Sequence, residues 1–225
     1  MRLDGRVTPA SGDAPHAWSV VLPVKVLSAA KSRLAAGVPA PGELALAFFL
    51  DALAAAVETP RVGRVVVATS DDRVRASAES LGAVVIDDDG HPGINAAAQW
   101  GAAHCGHGRG VAVIVSDLPC LTPLSLETAL AAAEQHATSF LADLDGTGTT
   151  IWCATAPNAV DPHFGSDSRS AHLASGAVDL VAEHTEALQD LERARCDVDT
   201  DQALQRARDL GVGPATLAAL SARIA

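Results

Sequence analysis

Tyrosine is absent from this sequence of 225 residues, and aromatic residues together make up only 3% of it. Hydrophobic residues nevertheless make up 48% of the chain, mostly as Ala, Val and Leu, which is enough for a sizeable aliphatic core. This content is too high for an intrinsically disordered protein. The length is typical of one globular domain.

Long hydrophobic runs are also missing. The N-terminal residues are polar as far as His16 and lack the apolar segment of a secretory signal. The longest apolar stretch, residues 44–57, is interrupted by Asp51 and is shorter than the ~20 residues of a membrane span. We therefore expect a cytoplasmic protein without a membrane partner.

Cysteine is scarce and widely spaced. The four cysteines form no Cys-x-x-Cys pair, so neither a zinc site nor a disulfide framework is expected. Positive charge is scarce too, because 16 Lys and Arg stand against 27 Asp and Glu, for a formal net charge of -11. A chain this acidic lacks the positive field that nucleic-acid binding needs, which argues against a nucleic-acid partner.

Apolar runs of strand length alternate with helical patterns after residues 1–16, which we expect to be a flexible tail. The patterns predict strands over 20–24, 64–69, 83–86 and 111–115, and helices over 43–58, 73–81, 94–105 and 125–135. The strands are continuous Val and Ile runs, as in parallel sheets covered on both faces. We predict an α/β fold, with residues 17–225 forming one three-layer domain around a mostly parallel sheet.

The pattern changes after Gln135. Strands are predicted over 139–142, 150–154 and 195–199, with an irregular stretch over 157–176 and helices over 200–210 and 214–224. In an open α/β sheet, ligands bind beyond the carboxyl ends of the strands. The residues that follow each predicted strand are therefore the candidates for function.

Lysine occurs only at Lys25 and Lys31, in the segment that follows the first predicted strand. With Arg33 they place three cations in a short segment of an acidic chain, an arrangement suited to a polyphosphate. A solvated surface loop is the alternative. The segment is not a Walker A loop, which requires Gly-x-x-x-x-Gly-Lys-Ser/Thr, nor a Rossmann fingerprint, since no glycine occurs in it before Gly37.

Acidic residues follow two other predicted strands. Asp117 comes directly after the fourth, and Mg²⁺ commonly takes one or two carboxylates while phosphate and water fill its other positions. Asp197 and Asp199 would project from one face of a strand, where a cation would relieve their repulsion. The alternatives are a turn cap at Asp117 and a helix cap at Asp199 or Thr200. Together with the cationic segment, these carboxylates indicate a Mg²⁺-nucleotide site.

Two loops are rich in glycine and hydroxyl side chains. Residues 145–150 read Asp-Gly-Thr-Gly-Thr-Thr, which either offers backbone and hydroxyl donors to an anion or simply forms a hairpin turn. Residues 164–172 form a Gly- and Ser-rich loop that opens a short helix, which is either an anion site or an N-cap alone.

Taken in order, these segments resemble the guanylyltransferases that make the phosphodiester precursor of the deazaflavin coenzyme F(420), from phosphoenolpyruvate or from 2-phospho-L-lactate. The matching stretches span nearly the whole chain beyond the tail; they are 24–25, 30–34, 116–119 (Ser-Asp-Leu-Pro), 146–149, 164–168 (Phe-Gly-Ser-Asp-Ser), 175–178, 196–200 and 210–216. No stretch is decisive alone, but the ordered set is specific. The resemblance implies a Rossmann-like nucleotidyltransferase fold related to the molybdenum-cofactor guanylyltransferases.

The resemblance also implies a reaction, in which GTP and phosphoenolpyruvate give enolpyruvoyl-2-diphospho-5'-guanosine and pyrophosphate. It implies that Thr149, Gly165 and Ser168 contact phosphoenolpyruvate. The nucleophile is a phosphate oxygen that is already anionic, so positioning, Mg²⁺ and cationic side chains are needed rather than a general base.

The remaining implied roles concern the nucleotide and the metal. Lys25, Lys31 and Arg33 would face the triphosphate as catalytic cations, although this loop lacks the usual glycines of the wider superfamily. Asp117, with Asp197 or Asp199, would hold Mg²⁺. Residues 93–95, with Gly93 and Asn95, would lie near the guanosine.

Other hypotheses fit the same residues. The acceptor could be 2-phospho-L-lactate or 3-phosphoglycerate, or the protein could be a molybdopterin or sugar-phosphate nucleotidyltransferase. A non-catalytic nucleotide-binding module is a third hypothesis. The resemblance is also compatible with hand-off of the product, that is, its direct transfer to the next enzyme of the pathway.

Overall fold

The computed structural model describes residues 18–27, 41–88, 90–106, 108, 110–156, 159–183 and 188–222. The predicted tail over residues 1–16 lies outside the described residues, as do Lys31 and Arg33. Among the described helices, none combines the length and the hydropathy that a membrane span requires.

Strands and helices alternate along the described chain. The strands are β1 (Trp18–Pro23), β2 (Val62–Ala68), β3 (Val84–Ile86), β4 (Gly110–Ile114), β5 (Thr138–Ala142), β6 (Thr149–Ala154) and β7 (Val178–Asp179). The helices are α1 (Pro41–Glu58), α2 (Asp72–Ser80), α3 (Ile94–Ala103), α4 (Pro123–Ala133), α5 (Ser168–Ala174), α6 (Leu180–Glu183), α7 (Leu188–Leu191), α8 (Asp201–Leu210) and α9 (Pro214–Ser221). The elements predicted before residue 136 are confirmed to within two residues at each end.

The seven strands form one sheet in the order β3-β2-β1-β4-β6-β5-β7. β1 is parallel to β2 on one side and to β4 on the other, and β3 extends the parallel part beyond β2. β6 runs antiparallel to both β4 and β5, while β7 is parallel to β5. The mostly parallel sheet predicted from the sequence is thus confirmed, with β6 as its one reversed strand in the described chain.

The central strand β1 explains why helices cover both faces of the sheet. All six of its residues are buried. Leu22 belongs to the hydrophobic cluster that contains Phe49 of α1, whereas Val21 belongs to the cluster that contains Ala98 of α3. Because neighbouring residues of a strand point to opposite faces, a strand buried on both faces is apolar throughout. The continuous Val and Leu run of β1 therefore requires the three-layer arrangement.

Residues 195–199 do not form the predicted strand. The chain there leaves a short 3₁₀ helix, Glu192–Arg195, and Val198 donates its backbone N–H to the carbonyl of Asp117 at 3.1 Å. This bridge ties the segment to the loop after β4 without the repeated pairing of a strand. The predicted irregular stretch 157–176 contains the helix α5, which begins at Ser168.

Asp51 is a buried carboxylate within α1. It accepts the backbone N–H groups of Ala215 and Thr216, each at 2.9 Å, in the first turn of α9. The first N–H groups of a helix have no partner within the helix and need an acceptor from elsewhere. The Asp51 carboxylate therefore caps α9 and fixes it against α1.

Replacing Asp51 by alanine is expected to lower the free energy of unfolding by about 1–3 kcal/mol, because two N–H groups lose their acceptor. Urea unfolding followed by circular dichroism measures this change. Asp209→Ala, at an exposed position of α8, is the control and should change the same free energy by less than ~0.5 kcal/mol. Equal unfolding midpoints for the two variants would show that Asp51 does not hold α9.

Candidate active site

Four segments meet at one edge of the sheet. β1 ends just before the loop that carries Lys25, and its parallel neighbour β4 ends just before the loop that carries Asp117. Asp143 follows β5, which points the same way as β4, and the reversed strand β6 begins at this edge with Thr149. The reversal of β6 therefore adds the turn between β5 and β6 to the carboxyl edge of the parallel strands.

A cavity of about 760 Å³ opens at this edge. Most of the residues predicted from the sequence line it, namely Lys25, Gly93, Asp117, Thr149, Gly165, Ser168, Asp197 and Asp199. Asn95 is not among the lining residues, and Lys31 and Arg33 lie outside the described part of the chain. The fold thus brings together residues from six separate segments, while the ligand that each one contacts stays a prediction.

The loop after β1 is held in place by Asp71. Its Oδ2 accepts the N–H of Leu27 at 2.9 Å, while its Oδ1 accepts the N–H groups of Arg73 and Val74 at the start of α2. Burial acts to raise the pKa of Asp71, but these hydrogen bonds outweigh it and the pKa is lowered. Lys25, two residues before Leu27, is exposed on the cavity wall, where its ammonium group can meet an anion.

Six aspartates line the cavity, and four of them, Asp117, Asp143, Asp197 and Asp199, form an interacting group of carboxylates. Burial and the negative charges of Asp117, Asp143 and Asp199 raise the pKa of Asp197 to about 7. In the described part of the chain, no group of three or more His, Cys, Asp or Glu side chains is arranged to hold a metal ion. A cation at this place would need oxygen atoms of a ligand as well, which is how Mg²⁺ binds beside phosphates.

Sequence analysis missed Asp143. Its carboxylate accepts the N–H groups of Thr147 at 2.9 Å and of Gly148 at 2.8 Å. A Cβ atom at Gly148 would overlap this carboxylate, so the close approach requires glycine. Arg195 donates to the backbone carbonyl of Asp143 at 2.8 Å and fixes the same segment. The signal was present, because Asp143 directly follows β5, much as Asp117 lies in the loop shortly after β4.

A second wall of the cavity carries hydroxyl groups and a glycine. Gly165 has a φ of 147°, a backbone conformation open mainly to glycine. Ser168 is buried at the start of α5. The Oγ1 atom of Thr149 lies 2.9 Å from Nδ1 of His172, which is also buried. Besides the exposed carboxylate of Asp167, this wall offers mostly short polar groups.

Asn95 shapes the cavity although it does not line it. Its Oδ1 accepts the backbone N–H of Phe164 at 2.8 Å, and its Nδ2 donates to the carbonyl of the same residue at 2.9 Å. This pair of bonds fixes the backbone next to Gly165. Asn95 therefore connects α3 to the second wall, and its predicted place near the guanosine stays a prediction.

The sequence is similar to a named group of enzymes. Residues 36–208 match the MobA-like NTP transferase domain family. The phosphoenolpyruvate guanylyltransferase of Thermomonospora curvata is 43% identical over 218 residues, which cover 95% of this chain and 92% of that protein. The protein of the same name from Streptomyces coelicolor is 44% identical over 213 residues, which cover 92% of this chain and 97% of that protein.

The chain belongs to the phosphoenolpyruvate guanylyltransferase family. Solved structures with little sequence similarity share its fold. A nucleotidyl transferase from Methanothermobacter matches with a TM-score of 0.54 at 16% identity, covering 86% of this chain and 96% of that one. Rv0371c from Mycobacterium tuberculosis matches with a TM-score of 0.54 at 16% identity, covering 87% of this chain and 99% of that one. The predicted nucleotidyltransferase fold is confirmed.

The crowding of carboxylates predicts how the stability of this family member depends on pH. In the unfolded chain, Asp197 ionises near its ordinary pKa of 3.8, whereas in the folded protein its pKa is about 7. The unfolded state therefore loses its proton first, and stability falls as the pH rises from about 4 to about 7. Well above pH 7 the stability lost through ionisation of Asp197 no longer changes with pH.

Asp197→Asn removes this loss, since an amide cannot ionise. In a buffer with EDTA, the variant should unfold at a higher urea concentration than the wild type at about pH 8, and the difference should vanish near pH 4. Asp190→Asn, at an exposed position of α7, should show no such difference at either pH. A constant difference across the whole range would mean that the ionisation of Asp197 is not its source.

Proposed function

We propose that the protein joins GTP and phosphoenolpyruvate into enolpyruvoyl-2-diphospho-5'-guanosine and releases pyrophosphate. The observation that carries the proposal is that one cavity combines an exposed lysine, a group of carboxylates and a wall of hydroxyl groups. Two relatives that are at least 43% identical and carry the name of this activity support the choice of nucleotide and acceptor. The proposal treats residues 17–225 as one domain, which the match over residues 36–208 supports.

The reaction is an attack of a phosphate oxygen of phosphoenolpyruvate on the α-phosphorus of GTP. A new P–O bond forms there, and the bond from the α-phosphorus to the bridging oxygen of the β-phosphate breaks, so pyrophosphate leaves. The attacking oxygen is already anionic, so no proton has to be removed. The protein has to bring two anions together and stabilise the charge that develops on the leaving group.

The cavity residues divide these tasks between them. We assign Lys25 to the triphosphate because of its charge and its position on the cavity wall, and Lys31 and Arg33 to the same task from the sequence alone. We assign the hydroxyl groups of Thr149 and Ser168, with the backbone at Gly165, to the acid as hydrogen-bond donors. Neutral donors suit an acceptor whose phosphate must stay nucleophilic.

The carboxylates fit a divalent cation, which we assign as Mg²⁺. Burial and the negative charges of three neighbouring carboxylates raise the pKa of Asp197, so a cation would be favoured there. Oxygen donors are the ligands that Mg²⁺ prefers. Asp117, with Asp197 or Asp199, would hold the ion. When bound, Mg²⁺ supplies charge neutralisation for the phosphates.

Incubation of the purified protein with GTP, Mg²⁺ and phosphoenolpyruvate is expected to release pyrophosphate, measured through added pyrophosphatase and a phosphate assay. Reactions with ATP, CTP or UTP in place of GTP, and with 2-phospho-L-lactate or 3-phosphoglycerate as the acceptor, should be at least about tenfold slower. Faster turnover of another acceptor would reassign the substrate. The absence of pyrophosphate with all three acids would refute the proposed function.

Asp117→Asn is expected to lower kcat/KM by about 100-fold or more at a fixed Mg²⁺ concentration, because the variant loses a charged oxygen ligand. Excess EDTA should stop the wild-type reaction completely. Asp209→Asn, an exposed carboxylate of α8, is the matched control and should keep wild-type kinetics. Wild-type turnover by Asp117→Asn would remove this residue from the proposed metal site.

A further inference from the structure

His172 is a buried titratable group beside the cavity to which the reaction above gives no role. Its ring packs between the rings of Phe140 and Phe164, with centroid distances of 5.3 and 5.6 Å. Both ring nitrogens have polar partners, and one of these partners, Thr149, lines the cavity. One hydrogen bond of the His172 ring therefore involves Thr149, a residue assigned above to the acceptor.

The partners fix where the proton of the ring lies. The backbone N–H of His163 donates to Nε2 of His172 at 2.8 Å. A backbone N–H can only donate, so Nε2 carries a lone pair and no proton. In the neutral ring the proton is then on Nδ1, which lies 2.9 Å from Oγ1 of Thr149. His172 is therefore the donor and the Thr149 hydroxyl is the acceptor in this bond.

The ring stays neutral under ordinary conditions. Burial, and then the nearby charge of His163 when that ring is protonated, lowers the pKa of His172 to about 4. Protonation would also place a hydrogen on Nε2, where it would clash with the backbone N–H of His163. The tautomer inferred above therefore holds throughout the neutral pH range.

The orientation of the Thr149 hydroxyl follows from this tautomer. Its oxygen accepts from His172, so its own proton is left to donate elsewhere. Among the described residues no second partner for this hydroxyl is found, and Thr149 lines the cavity. The hydroxyl proton is therefore available to a ligand oxygen that carries negative charge.

We propose that His172 is a positioning residue that orients the Thr149 hydroxyl as a donor to an anionic oxygen of the acceptor, a carboxylate or a phosphate. The identity of the acceptor rests on the proposed function. Through Nε2 the same ring also holds the backbone at His163, two residues before Gly165. One neutral side chain thus fixes both parts of the wall that meets the acid.

Two substitutions separate the two hydrogen bonds of the ring. His172→Gln can present an oxygen to the N–H of His163 but leaves Thr149 without its donor. His172→Asn can present an N–H to Thr149 but leaves His163 without its acceptor. Thr149→Val removes the hydroxyl and keeps the shape of the side chain.

Steady-state kinetics should show a selective effect on the acceptor. His172→Gln is expected to raise KM for phosphoenolpyruvate roughly tenfold, as for a lost hydrogen bond to a charged group, with KM for GTP changed less than about twofold. His172→Asn, which keeps a donor to Thr149 but loses the acceptor for His163, should raise this KM less than His172→Gln does. In the Thr149→Val background, His172→Gln should cause no further rise, because the residue acts through the hydroxyl that is already missing. His104→Gln, at the end of α3, is the control and should leave both KM values unchanged.

Nitrogen NMR of the histidine rings tests the tautomer directly, with the His172 signals assigned by their loss in His172→Asn. Protonated Nδ1 and unprotonated Nε2 at neutral pH are expected. A protonated Nε2, additive effects in the double variant, or equal rises in both KM values would each overturn the proposal. Failure of the wild type to release pyrophosphate would refute the proposed function instead, and the NMR result would still decide the orientation of the hydroxyl.

Discussion

Repulsion among four carboxylates is the constraint around which the cavity is built. Asp117, Asp143, Asp197 and Asp199 line one cavity, and burial together with the negative charges of the other three raises the pKa of Asp197. Such an arrangement persists only when the surrounding backbone holds it. The Val198 N–H on the carbonyl of Asp117, and the turn N–H groups on the carboxylate of Asp143, provide that support. A bound cation would reduce the electrostatic repulsion among these carboxylates.

The sequence predicted the sheet well because its signal is local. A strand buried on both faces is mostly apolar, and the Val and Ile runs show this directly. The same logic located the residues that follow β1 and β4. The strand predicted over residues 195–199 was wrong. Alternating carboxylates suggest a strand there, but the backbone N–H of Val198 binds the carbonyl of Asp117 in the loop after β4. The spacing of residues within one segment does not show which distant segment its backbone will hydrogen-bond to.

The supporting roles of residues were the hardest to predict from the sequence. Asp71, Asn95 and His172 each hold a backbone group or hydroxyl of a residue far along the chain. A lone Asp, Asn or His has many ordinary roles, and only the distance to a particular N–H or hydroxyl reveals the one that it has here. Asp143 is different, because its position after a strand was visible, and only the unrecognised reversal of β6 hid its relation to the cavity.

The turn between β5 and β6 has a consequence for how the two substrates meet. Asp143 at its start and Thr149 at its close both line the cavity. The hydrogen bonds from Thr147 and Gly148 to Asp143 make these few residues one rigid unit. Under the proposed function, this turn of fixed length sets the distance between the carboxylates and Thr149, the residue assigned to the acid. An extra residue in the turn would change that distance, and it would also disturb α5, because the carbonyl of Thr147 accepts the backbone N–H of Arg169 at 3.1 Å.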